Sequence, residues 1–154
     1  AFGISGDEII EVIKKIDWVP GRMELVQNDL NVDIIVDYAH TPDALEKVLT
    51  TLQAIWYKKI VTVFWATWDR DKTKRPIMWE IVAKYSDIVI LTQDDDYSEN
   101  SENIIKDVLP WINRVEWDNF FIIPTRKEAI ELGISLLKNE MFYLLLVNEM
   151  NMLW

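Results

Sequence analysis

Few residues in this chain have types and spacing suited to chemistry. The one histidine, His40, stands in the run Asp37-Tyr38-Ala39-His40-Thr41-Pro42. An imidazole near a carboxylate can carry a proton, or it can hold a turn. No serine has an evident partner base and there is no cysteine, so a histidine-assisted nucleophile is not indicated. Orienting the turn ahead of a helix at Thr41 is the preferred role for His40. The mixed run Asp69 to Arg75 is expected to be a solvated loop with local ion pairs, each contributing about 0–1 kcal/mol. The trio Asp94-Asp95-Asp96 carries the charge a divalent cation wants. Adjacent carboxylates in a loop diverge, however, and neither a glycine turn nor a suitably spaced glutamate follows, so no metal site is expected. Of the eight tryptophans, Trp65, Trp68, Trp79 and Trp154 fall at expected loop or terminal positions, where a binding face is the sharper reading.

Composition narrows the classes. A chain of 154 residues fits a single domain, and a net charge of −10 disfavours nucleic acid or an anionic membrane as partner. Without cysteine there are no disulfides and no cysteine zinc sites. The apolar run Met141 to Val147 is far below the ~20 residues that span a bilayer. The acidic start (Asp7, Glu8, Glu11) does not read as a secretory signal, so a cytoplasmic setting is expected. Only 4 glycines occur, which ill equips the chain for phosphate loops built on close backbone approach.

The elements that must position these residues follow from periodicity. Ser5 and Glu8 form a capping-box pattern ahead of Ile9, Ile10, Val12, Ile13 and Ile16, an amphipathic first helix. Arg22 to Gln27 and Val32 to Tyr38 read as strands. Thr41-Pro42-Asp43 starts a helix whose expected buried stripe is Leu45, Val48, Leu49, Leu52 and Ile55. Strands are predicted at Lys59 to Trp65, Asp87 to Thr92, Phe120 to Ile123 and Met141 to Val147. Helices are predicted from Pro76 to about Tyr85, from Ser101 to Pro110, and from a second capping box at Thr125 and Glu128 to Lys138. Strands fed through helices imply an α/β, Rossmann-like fold: a mostly parallel sheet of about six strands with helices on both faces, over residues 1–154 as one domain.

Three motifs in register carry a resemblance over nearly the whole chain. They are Val19-Pro20-Gly21-Arg22-Met23-Glu24, then Val36-Asp37-Tyr38-Ala39-His40-Thr41-Pro42-Asp43-Ala44-Leu45-Glu46, then Asp69-Arg70-Asp71-Lys72-Thr73-Lys74-Arg75-Pro76-Ile77-Met78, with Arg126-Lys127-Glu128-Ala129-Ile130 near the end. Together they resemble the C-terminal domain of a Mur ligase, most narrowly the type that adds the third amino acid to the UDP-N-acetylmuramoyl dipeptide of peptidoglycan. The resemblance implies a Rossmann-like domain that closes over ATP and magnesium held mainly by a preceding domain, and that supplies the pocket for the incoming amino acid. In that family ATP makes an acyl phosphate, which the amino acid attacks. By the resemblance, Arg22, Asp37, His40, Arg75 and Asp94 stand at substrate or nucleotide positions. No G-x-x-x-x-G-K-[ST] phosphate loop occurs.

The departures from the family pattern are concentrated. A glycine-rich turn has become Phe64-Trp65-Ala66-Thr67-Trp68, and a Met-Gly-Glu has become Met78-Trp79-Glu80. An Asp-Asn-Pro-Arg motif reads Asp94-Asp95-Asp96-Tyr97, and a Gly-Lys-Gly-His-Glu loop reads Asn148-Glu149-Met150-Asn151-Met152. Loops after parallel strands gather at the strands' carboxyl ends, so all of these are expected on one surface. The function preferred from the sequence is therefore an engineered, non-catalytic interaction module without cofactor on a Mur ligase scaffold. It would bind an unidentified protein, or weakly itself, through Trp65, Trp68, Trp79, Tyr97, Met150, Met152 and Trp154, rimmed by Asp95, Asp96, Asn148, Glu149 and Asn151. The alternative is the C-terminal domain of a natural ATP-dependent ligase. A small-molecule pocket, with Glu149 or Asp96 as base, ranks third.

Overall fold

The structure, a computed structural model, describes residues 3–15, 19–55, 59–65, 74–92, 110, 118–137 and 141–146, with Trp65 described in its backbone only. Its elements run α1 (Gly6–Ile13), β1 (Glu24–Val26), β2 (Asp33–Asp37), α2 (Pro42–Ile55), β3 (Lys59–Trp65), α3 (Lys74–Tyr85), β4 (Ile88–Thr92), β5 (Phe120–Ile122), α4 (Arg126–Leu136) and β6 (Met141–Leu146). The strands form one sheet in the order β1-β2-β6-β3-β4-β5. Only β1 runs antiparallel, pairing Glu24 with Val36 and Val26 with Ile34; the other neighbours are parallel. The α/β, Rossmann-like expectation is the fold observed.

Side chains alternate across the sheet with the period of two that strands impose. Ile35, Ile60, Phe64, Val89, Leu91, Phe142, Leu144 and Leu146 face α2 and α3, whose Leu45, Leu49, Leu52, Met78, Trp79 and Val82 complete that layer. Ile34, Val61, Val63, Ile90, Phe121 and Tyr143 face the other way, toward Ala129 of α4. The connection through α2 moves one way across the sheet on one face. The connection through α4 moves back on the opposite face, so reversing direction and face together keeps the two crossovers same-handed. Gly133 is what lets α4 lie close to β6, because a Cβ there would collide with the Tyr143 ring. Burial pushes the Tyr143 phenol well above its usual ionisation range.

Four expectations need correction. Trp79 does not lie on a loop surface: it is 1% exposed and meets the Phe64 ring edge-to-face at a centroid distance of 4.8 Å. The reason is helical spacing, since Arg75, Met78, Trp79 and Val82 form the buried side of α3. Arg75 is likewise no part of a solvated loop; α3 begins at Lys74, and Arg75 is buried in its first turn. Ile55, expected in the stripe of α2, is more than half exposed at the end of that helix. Thr125 precedes α4, but its side chain makes no capping hydrogen bond. The chain entering α4 is instead tied to β4: Ile123 N–H donates to the Leu91 carbonyl, and Thr92 Oγ1 donates to the Pro124 carbonyl at 3.2 Å. The first capping box is present in full, with Ser5 N–H donating to Glu8 Oε2 at 2.8 Å and Glu8 N–H to Ser5 Oγ at 3.2 Å.

Candidate functional site at the carboxyl edge of the sheet

The parallel strands β2, β6, β3, β4 and β5 end together, at Asp37, Leu146, Trp65, Thr92 and Ile122. Open parallel sheets bind ligands at this edge, where α2, α3 and α4 also present their amino termini. Because β1 is antiparallel to β2, the residues entering β1 arrive at the same edge. The turn Gly21–Glu24 is thereby set beside the segment Tyr38–Thr41 that leaves β2.

The conformation of that turn is unusual. Gly21 has φ 68° and Met23 has φ 47°, so left-handed residues bracket Arg22 on both sides. Glycine adopts this region freely, whereas a residue with a side chain does so at a cost of order 1–3 kcal/mol. Each left-handed residue is secured through its own N–H. Gly21 N–H donates to Glu24 Oε2 at 2.7 Å, and Met23 N–H donates to Asp37 Oδ2 at 2.8 Å. Bonds to a carboxylate are about twice as strong as neutral ones. Asp37 itself, the last residue of β2, is 5% exposed.

The turn places the Arg22 guanidinium carbon 4.8 Å from the centroid of the Tyr38 ring. Such cation–π contacts contribute about 0.5–1 kcal/mol at exposed positions. Tyr38 meets the His40 ring edge-on, with centroids 4.9 Å apart. His40 is half-buried, and its Nδ1 lies 3.0 Å from the Tyr38 carbonyl oxygen, a bond that fixes the bend between β2 and α2. Thr41 follows at once and caps α2, its Oγ1 accepting from Ala44 N–H at 3.3 Å. The turn-orienting role expected of His40 matches this geometry. Among the described residues no group of three His, Asp or Glu could hold a metal ion, and no helix is long and apolar enough to cross a membrane.

Arg22, Asp37 and His40 are thus brought together at one edge, and Arg75 is buried in the first turn of α3, at the helix end that faces the same edge. Trp79 belongs to the core and leaves the proposed binding face. Trp65 ends β3 at the expected edge, its side chain outside the described residues. Trp68, Asp94, Asp95, Asp96, Tyr97, Asn148, Glu149, Met150, Asn151, Met152 and Trp154 lie outside them too. Three residues that hold the site together, Met23, Glu24 and Tyr38, are not singled out by sequence reasoning. A Gly-Arg-Met-Glu run, whose glycine implies a left-handed bend, marks the turn that contains Met23 and Glu24 but not what those side chains do, and nothing comparable marks Tyr38.

A mostly parallel sheet with helices on both faces makes this a Rossmann-like α/β domain, and known proteins narrow the class further. The family described as Mur ligase, glutamate ligase domain, matches residues 21–146, and the chain belongs to that family. It is 44% identical over 140 residues to UDP-N-acetylmuramoyl-L-alanyl-D-glutamate–2,6-diaminopimelate ligase 1 of Clostridium acetobutylicum, covering 90% of this chain and 28% of that protein. It is 45% identical over 130 residues to the corresponding ligase of Clostridioides difficile, covering 84% of this chain and 27% of that one. Among solved structures, a UDP-N-acetylmuramoyl-L-alanyl-D-glutamate–2,6-diaminopimelate ligase superposes with a TM-score of 0.68 at 28% identity, over 94% of this chain and 29% of that one. A Mycobacterium tuberculosis folylpolyglutamate synthase shares the fold with a TM-score of 0.75 at 15% identity, over 94% of this chain and 33% of that one. The chain therefore spans little more than a quarter of the length of these curated ligases. The similarities favour the natural ligase domain over the engineered interaction module preferred from sequence.

Proposed function

We propose that the chain is the C-terminal domain of an ATP-dependent amide-bond-forming ligase of peptidoglycan precursor synthesis. The observation that carries this is the 44% identity to a diaminopimelate-adding ligase over 90% of the chain. The intact ledge of Arg22, Tyr38 and His40 at the carboxyl edge supports it. The expected cytoplasmic setting goes with this reading.

The residues present fit one side of a nucleoside triphosphate. Arg22 is exposed, and a guanidinium presents forked N–H donors suited to phosphate oxygens. Tyr38 backs that fork, and His40 keeps the backbone bent so that α2 opens toward the same edge. ATP, when bound, would supply the phosphoryl group that activates a carboxylate for attack by an amine. The resemblance assigns the phosphate loop and most magnesium ligands to a preceding domain, so this domain acts as one wall of the site and does not turn over alone. The residues that would read the amino acid correspond to Asp94-Asp95-Asp96-Tyr97 and Asn148 to Met152, both departing from the family pattern. The proposal therefore names an amino acid as the class of acceptor, and diaminopimelate as the first to try.

The test is a chimera in which this chain replaces the matching quarter of the Clostridium acetobutylicum ligase. With magnesium, ATP, UDP-N-acetylmuramoyl-L-alanyl-D-glutamate and diaminopimelate, amide formation with matching ADP release is expected. A folded chimera that forms no amide with diaminopimelate, lysine or any other amino acid offered would overturn the proposal and return the interaction-module reading.

A further inference from the structure

Both residues flanking Arg22 adopt the left-handed region, and both N–H groups are claimed by carboxylates. Glycine enters this region without steric cost, and Asn31 is the sort of short polar residue that tolerates it, but a long apolar side chain such as that of Met23 does not. Here the second position is Met23, and the carboxylate that secures it comes from fourteen residues away, at the end of β2. Asp37 is buried and its Oδ2 is committed to this backbone bond, so that oxygen faces the turn rather than a ligand.

We infer that Asp37 is a positioning residue: it holds Met23 left-handed, and the turn thus held mounts Arg22 over Tyr38. Glu24 ties down the other end of the turn, accepting from Gly21 N–H, so the mount is held at both ends. Fixing the cation before a ligand arrives avoids ordering a long, rotamer-rich side chain at the moment of binding. Asp37 couples the mount to β2, so the sheet and not the loop sets where the guanidinium stands. This deepens the ligase reading and takes from it only that Arg22 faces the ligand.

The geometry has a direct readout in the full chain, independent of ligation. Protons over an aromatic face are shielded, so the Arg22 Nε–H resonance is expected upfield of the other arginines. Asp37→Ala should move it to the ordinary arginine position. Asp37→Asn, which keeps an oxygen acceptor, should leave it largely upfield. The decisive variant is Asp37→Ala combined with Met23→Gly. Glycine needs no help to be left-handed, so this pair should restore the upfield resonance that Asp37→Ala alone loses. A role for Asp37 in contacting ligand, or in general stability, predicts no such rescue. Should Asp37→Ala fail to fold, Met23→Val tests the same point from the other side. A β-branched residue resists positive φ, so the resonance should move although every carboxylate remains. The inference is overturned if a folded Asp37→Ala or Met23→Val chain keeps the upfield resonance, or if Met23→Gly does not restore it. Failure of the chimera to ligate would leave this result untouched, so the two ideas fail separately.

Discussion

Two sets of helices in this molecule are written with the same kind of pattern and end in opposite environments. In α2 and α3, Leu45, Leu49, Leu52, Met78, Trp79 and Val82 are covered by the sheet. In α1 the apolar residues Ile9, Ile10, Val12 and Ile13 are each roughly half exposed or more, and no residue of the helix is buried. Yet α1 has the fuller end signal, a reciprocal capping box. α2 and α3 are each strung between parallel strands, so pairing of β2, β3 and β4 into the sheet lays them on its face. α1 lies before the first strand and has no such tether. Amphipathic spacing therefore says that a helix has an apolar side; strand connectivity says what covers it.

Substitutions in the covered and uncovered helices test this difference. Trp79→Ala should cost about 3–5 kcal/mol in denaturant unfolding, as expected for a truncated core aromatic. A change near zero would return Trp79 to the surface and undo the contrast. Leu49→Ala, removing a wholly buried side chain from α2, should cost about 2–5 kcal/mol in the same measurement. Gly133→Ala tests the tightest helix–sheet approach, where the new Cβ meets the Tyr143 ring. A loss of about 1–3 kcal/mol is expected, recovered in part when Tyr143 is shortened to Leu. On α1, Ile9→Ser and Ile13→Ser should change global stability by no more than about 0.5 kcal/mol, since neither side chain is buried.

The smallest effect is a pH dependence confined to α1. The Ser5 backbone N–H, and then the Ser5 hydroxyl, hold the Glu8 carboxyl below its usual range. A carboxyl depressed in the folded state contributes above its unfolded value, and that contribution fades as pH falls through the folded one. Helicity of α1, followed by the carbonyl shifts of residues 6–13, should decline on acidification past the ordinary glutamate range. Ser5→Ala, which loses the hydroxyl but keeps the backbone N–H, should weaken that dependence without removing it and leave the sheet unchanged.

Much of the fold is legible in the residues themselves. β3 begins and ends where its apolar run does, and Thr41-Pro42 starts α2 as a cap followed by the first helical residue. Thr125 shows where local signals stop: the residue types suit a capping box, but ties from Leu91 and Thr92 to the entering chain take its place. Trp79 shows a second limit. Comparison with a glycine motif suggests a re-surfaced loop, while the 75/78/79/82 spacing, available in the same residues, puts the indole inward. For the site, Arg22, Asp37 and His40 can be named from their motifs. The parts played by Tyr38 and Met23 are not written there, because they depend on a guanidinium lying over a ring between the turn before β1 and the residue after β2, and on a backbone angle.

Residue types and spacing alone set the order of the described elements, the two-sided alternation of the strands, the capping of α1 and the register of three motifs, because each rests on neighbours within a few residues; the helix expected from Ser101 to Pro110 lies outside the described residues. Only the tertiary structure decided the strand order, with β6 inserted between β2 and β3, since pairing between distant segments depends on how the crossovers pack. It also decided which amphipathic faces are covered. And it decided that Asp37 reaches back to Met23 and seats Arg22 on Tyr38, a contact that exists only because antiparallel β1 returns the chain to the carboxyl end of β2.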